Sequence, residues 1–131
     1  MTGLTYLHAI VSLRPDAKFG VVGNNYDSII WKDTTMSKPT KDEIDAELII
    51  ITHEWLLESI RGKRDELLID TDKYSLSDFP HSSPEKKQEW LDYRQSLRDI
   101  TNNLDTTTIT LTFDQFQDVQ FQNLTWPAIP T

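Results

Sequence analysis

Trp90-Leu91-Asp92-Tyr93-Arg94-Gln95-Ser96-Leu97-Arg98-Asp99-Ile100-Thr101 is the stretch on which the reading of this chain turns. Spaced as a helix, it places Trp90, Tyr93, Leu97 and Ile100 on one apolar stripe and runs Arg94 and Arg98 along its edge. Its start lies upstream at Ser82-Ser83-Pro84-Glu85, where either Ser83 caps a helix with Pro84 in the first position or Ser82 and Glu85 form a capping box. The helix is expected over 84–102. Trp90, Tyr93 and Leu97 should anchor it on an earlier helix or on Trp126, and a well-buried Trp90 would cost about 3–5 kcal/mol on truncation to Ala.

The earlier helix opens with a capping box. In Lys38-Pro39-Thr40-Lys41-Asp42-Glu43 the Thr40 hydroxyl can accept from the Glu43 amide while the Glu43 carboxylate reaches back to the Thr40 amide. The helix is expected over 40–68, with Gly62 as a weak point. Ile44, Leu48, Ile51 and Trp55 form one stripe, and Ile49, Leu56, Ile60 and Leu67 form a second on another side. Two apolar faces require two partners: packing on both sides within the chain, or one face left for an oligomer or client contact.

Residues 4–13 fit a short helix through Leu4, Leu7 and Val11, or a strand through Leu4, Tyr6, His8 and Ile10. Arg14-Pro15-Asp16 as a stop favours the helix. Alternation at Ala17, Phe19 and Val21, the turn signal Gly23-Asn24-Asn25 and the run Ile29-Ile30-Trp31 predict a β-hairpin with strands near 17–22 and 28–32. Thr108 to Phe113 alternates with Ile109, Leu111 and Phe113 inward, which predicts a strand over 107–113. Val119 and Phe121 repeat the pattern, so a second hairpin across Asp114 to Asp118 follows. Trp126-Pro127-Ala128-Ile129-Pro130 is too rich in proline for a helix or a central strand and should be an extended tail. The fold class is α+β in one small domain over 1–131, with a hairpin region at 1–38, a helical region at 39–103 and strands plus tail at 104–131.

Composition narrows the chemistry. A net charge of −8 argues against a nucleic-acid partner, since phosphate binding needs a concentrated basic footprint. The longest basic cluster, Arg61-Gly62-Lys63-Arg64, runs straight into Asp65-Glu66 and reads as mixed-charge surface. No stretch approaches a membrane span, and Met1 to Leu13 does not resemble a signal peptide, so a cytosolic chain is expected. With no cysteine, thiolate metal sites and cysteine nucleophiles are excluded. His53-Glu54 opens a zinc-protease pattern, but Leu57 stands where its second histidine must be. Asp70-Thr71-Asp72 lacks a calcium loop's glycine and final glutamate, Ser75 and His81 standing there instead. Gly20 and Gly23 do not make a phosphate loop, and there is no nucleophile elbow. A non-enzymatic protein without cofactor or metal is expected.

Several of these residues together resemble the phage tail assembly chaperone family. The likeness runs from Ile30-Trp31-Lys32-Asp33 and Lys38 to Ala46 through Arg64, Leu67-Leu68, Asp70-Thr71-Asp72 and Phe79-Pro80 into Glu89-Trp90-Leu91-Asp92, and ends at Trp126-Pro127. Its most specific part is Tyr93-Arg94-Gln95-Ser96-Leu97-Arg98-Asp99-Ile100. Thr101 stands where a proline commonly follows, and 105–122 adds a β-rich segment where the family usually has a short link. The resemblance implies a chaperone that binds a phage tail, tail-fibre or baseplate protein through Trp90, Tyr93, Arg94, Leu97, Arg98, Asp99, Trp126 and Pro127. It implies work in the host cytoplasm during assembly; homo-oligomerisation is a further contact that the two apolar stripes of the helix over 40–68 allow. An adaptor that stays in the virion tail is the alternative, and an acidic host-directed binding protein a third.

Overall fold

Thr5, itself extended, caps helix α1 (Tyr6–Leu13) by donating its amide to His8 Nδ1 at 2.9 Å. The helical alternative for this segment is the one realised. The helix closes at Arg14, whose amide donates to the Ile10 carbonyl, and Asp16 beyond it stands in the left-handed region at φ 66°. The structure, a computed structural model, describes residues 4–116 and 118–131. The chain divides into two compact units, Met1–Trp55 and Leu56–Thr131.

In the first unit, β1 (Phe19–Val21) and β2 (Ile29–Trp31) form an antiparallel pair in which Gly20 faces Ile30. The strands are shorter than expected because a 3-10 turn over Tyr26–Ser28, capped by Asn25, takes up the end of the connection. Gly23 stands at φ 82°, a left-handed conformation that glycine adopts without a Cβ penalty. Tyr6, Ala9 and Ile10 of α1 bury against Ile29 and Ile44, and Phe19 stacks on Trp31 at 5.8 Å. Helix α2 spans Lys41–Asp70. Both bonds of its capping box are present: the Glu43 amide donates to Thr40 Oγ1 at 3.1 Å, and the Thr40 amide to Glu43 Oε1 at 3.3 Å.

Three carboxylates of this unit are held ionised. Asp33 accepts amides from Met36, Lys18 and Thr35, and these bonds, Met36 first, hold it far below the usual 3.8. Glu43 is lowered by the Thr40 amide, and Asp45 by the Lys41 ammonium and then the Tyr6 hydroxyl. A depressed carboxylate contributes stability above its unfolded pKa and gives it up as pH falls through the folded one. The first unit should therefore hold its melting temperature above the ordinary values of 4.5 and 3.8 and lose it progressively below them. Thermal melts from about pH 6 to pH 2 check this; a flat profile would contradict it.

The two stripes of α2 end up in different units. Ile44, Leu48 and Ile51 pack in the first, whereas Leu56 and Ile60 are buried in the second. Ile49, assigned above to the second stripe, is instead 70% exposed, a correction that follows from its lying in the part of α2 that buries the first stripe. Gly62 does not interrupt the helix, which runs two residues past the expected Leu68. A Cβ added at Gly62 would meet nothing within 4 Å. Gly62→Ala should consequently stabilise the chain by about 0.5–1 kcal/mol through helix propensity alone, as measured by urea unfolding.

In the second unit, α3 (Pro84–Arg98) starts with Ser83 as the cap, its hydroxyl accepting the Lys86 amide at 3.0 Å. It stops at Arg98, short of the expected 102. Asp99 accepts side-chain bonds from Gln95 and Asn102, the Asn102 amide closes a turn on the Asp99 carbonyl, and Asn103 adopts φ 54°. Asp and Asn that bond locally in this way compete with continued helix. Strands β3 (Thr110–Phe113) and β4 (Val119–Gln122) then pair antiparallel as the second hairpin. Ile109 and Leu111 point inward and are buried, but Phe113 is 47% exposed, contrary to its expected inward position. It sits at the tip, beside the turn in which Asp114 accepts the amides of Phe116 and Asp118.

Candidate functional site

The C-terminal end of α2 leaves carbonyls without intrahelical partners, and that end of a helix carries partial negative charge. Arg94 answers both. Its Nη1 donates to the Leu68 carbonyl at 2.7 Å and to Thr71 Oγ1 at 2.8 Å, while Nη2 donates to Asp72 Oδ1 at 2.7 Å. Thr71 Oγ1 in turn donates to the Leu67 carbonyl at 2.8 Å. Arg94 is 6% exposed, and its buried Nε has no hydrogen-bond partner among the described residues. The guanidinium thus fastens α3 to the last turn of α2 and to the 3-10 turn over Asp72–Ser75 that follows it.

An aromatic cluster covers this junction. Tyr74 lies nearly parallel on Trp90, with ring centroids 3.8 Å apart, and Phe79 meets Tyr74 edge-on at 4.9 Å. His81 packs on Phe79 and its Nε2 lies 2.9 Å from the Tyr74 carbonyl. Tyr93 stands perpendicular to Trp90. Burial pushes the Tyr93 hydroxyl up, so it remains neutral at any physiological pH. Stacked and edge-to-face pairs of this kind fix a loop to a helix at little entropic cost.

The eight residues that the sequence points to fall into distinct settings. Tyr93, Arg94 and Leu97 are buried, and Trp90 is half-buried under Tyr74. Arg98 and Asp99 are exposed; Arg98 donates to Gln95 rather than to Asp99, and its carbonyl accepts from Arg64 at 3.3 Å. Trp126 and Pro127 are half-buried, and Trp126 packs on Phe121 of β4 at 6.1 Å. Among the described residues no ring contact joins Trp126 to Trp90 or Tyr93, so α3 and the tail do not form one patch through their aromatic rings. Sequence reasoning missed Thr71, Tyr74 and His81 as parts of the junction. Thr71 lies in the Asp70-Thr71-Asp72 run that carries part of the resemblance, whereas Tyr74 and His81 had no signal beyond being rings in a polar stretch.

With this geometry in hand, the comparison with known families is decisive. The model of the phage tail assembly chaperone protein family matches residues 57–131. The chain belongs to that family. No curated protein and no solved structure matches it. The chaperone match contains all of the arginine junction, the aromatic cluster and the Trp126-Pro127 tail. It also takes in 105–122, the segment read above as an addition, and leaves 29–56 outside. Among the described residues no helix is long and apolar enough to cross a membrane, and no group of three or more acidic or histidine side chains could hold a metal ion. What the arrangement can do is present a surface: a rigidly held α3 with Arg98 and Asp99 outward, and a hairpin with exposed aromatic side chains.

Proposed function

We propose that this chain is a non-enzymatic chaperone that binds a tail or tail-fibre subunit in the host cytoplasm during assembly, covers its apolar surface and is then released. The family match over 57–131 carries this reading. Support comes from apolar side chains left exposed in the matched region, with Phe116 at 74% and Phe113, Val119 and Ile129 also open. Phe113 and Val119 face each other across the hairpin and Phe116 lies in its turn, and contiguous exposed apolar surface of this kind marks a contact site. In this reading Trp90, Arg98, Asp99, Trp126 and Pro127 touch the client, while Tyr93, Arg94 and Leu97 hold the surface in shape.

The test is co-expression of the tagged chain with the tail structural proteins of the same phage, followed by affinity capture. Recovery of a tail or fibre subunit at fixed stoichiometry is expected, and recovery of none would refute the reading. The β3–β4 hairpin favours a second reading, an adaptor retained in the tail, because a hairpin with exposed apolar side chains can become part of a permanent interface. Mass spectrometry of purified virions separates the two: a released chaperone is missing, an adaptor is present in constant number.

A further inference from the structure

The second unit contains a cleft whose two walls are α2 and β4. One part, of about 340 Å³, is lined by Gly62, Lys63 and Glu66 of α2 and by Asp118 and Val119. An adjoining part, of about 370 Å³, shares Lys63, Asp118 and Val119 and continues past Gln120 and Phe121 to Trp126. Successive side chains of a strand alternate between faces. A cleft lined by 118, 119, 120 and 121 in turn therefore runs along the edge of β4, not over one face of it.

That edge carries unused main-chain groups. The Asp114 amide donates to the Asp118 carbonyl at 3.0 Å, and 114 faces 118 in the same register that pairs Thr112 with Gln120 and Thr110 with Gln122. Hydrogen-bonded pairs alternate along an antiparallel ladder. Gln120 and Gln122 thus direct their main-chain groups at β3, whereas Val119 and Phe121 direct theirs away from it, and no hydrogen bond to either is found among the described residues. An N–H and C=O pair repeated every second residue is met in full only by another extended backbone. The opposite wall is equally suggestive. Gly62 weakens the middle of a helix although, among the described residues, no other part of the chain lies within 4 Å of where its Cβ would stand. Its missing side chain leaves the cleft open where an added strand would pass.

We infer that the free edge of β4 takes an extended segment of the tail subunit as a third strand, running through the cleft between β4 and Gly62. This deepens the chaperone reading above and rests on it. Two strands alone form a marginal sheet, and a third supplied by the client completes one that can stand. Lys63 and Glu66 pair with each other at 3.6 Å on the α2 wall, so Asp118 is the rim carboxylate left to select a segment with a lysine or arginine beside its apolar residues.

The probe is the tail subunit recovered by affinity capture, added to the full chain labelled with ¹⁵N. Amide exchange at Val119 and Phe121 should slow by about tenfold or more on binding, while Gln120 and Gln122 are already protected in the free chain. Gly62→Leu should fill the cleft, melt no lower than the parent, and reduce capture by about tenfold or more. Val119→Pro removes an outward amide without breaking a bond to β3, and should reduce capture alike. If both variants capture the subunit as the parent does, the strand addition is wrong and the chaperone reading stands. If the parent captures no subunit, both fall. If Val119 and Phe121 become protected without the subunit as protein concentration rises, a second copy of the chain occupies the edge and the inference is overturned.

Discussion

Leu97→Ala should cost the second unit about 2–5 kcal/mol, the largest stability loss expected from any single truncation in α3. Leu97 has no exposed surface, so removing its branched end leaves a cavity that the surrounding helix cannot easily fill. In a domain whose total stability is about 5–15 kcal/mol, such a loss lowers the urea midpoint markedly. A variant that unfolds with the parent would mean that the stripe is not packed as described. Trp90, which the sequence offers as the stronger anchor, is only half-buried, and its truncation should cost less than the figure for a well-buried tryptophan.

Arg94→Met should be the next most damaging, at about 2–4 kcal/mol by the same urea measurement. The ion pair accounts for little of this. The Asp72 side chain is 64% exposed, and pairs with an exposed partner contribute about 0–1 kcal/mol. The larger part comes from the Leu68 carbonyl and Thr71 Oγ1, acceptors that lose a charged donor next to a helix end. Arg94→Lys keeps the charge but cannot present two nitrogens in a plane, so it should recover only part of the loss. Arg98→Lys, on the surface, should stay within about 0.5 kcal/mol of the parent. Equal stability of the Met and Lys variants would sink the account of Arg94 as a planar clamp.

Most of the architecture was legible because it is written in local chemistry. Thr40 and Glu43 announce a helix start through atoms three residues apart, and Ser83-Pro84 does the same for α3. The alternation from Thr108 onward marks a strand before any partner is known. The misplacements arise where local pattern meets tertiary context. Phe113 follows the inward parity of its strand but lies beyond the edge of the core that would cover it. Ile49 keeps helical spacing with Leu56, yet α2 buries different faces in its two halves. Arg94 shows the limit at the site: its spacing marked it as a residue on the edge of the apolar stripe. That it also binds a carbonyl 26 residues back could not be read from spacing.

The near-parallel contact of Tyr74 with Trp90 has an optical consequence. Two aromatic chromophores held face to face at 3.8 Å exchange excitation, and a fixed, chiral arrangement of that kind gives rise to near-ultraviolet circular dichroism. Tyr74 belongs to the turn after α2, Trp90 to α3, so the signal tracks the registry of loop and helix without any label. A client that levers this loop away would bleach the band at constant helicity, which turns the native chromophores into a gauge of the junction while the tail is being built.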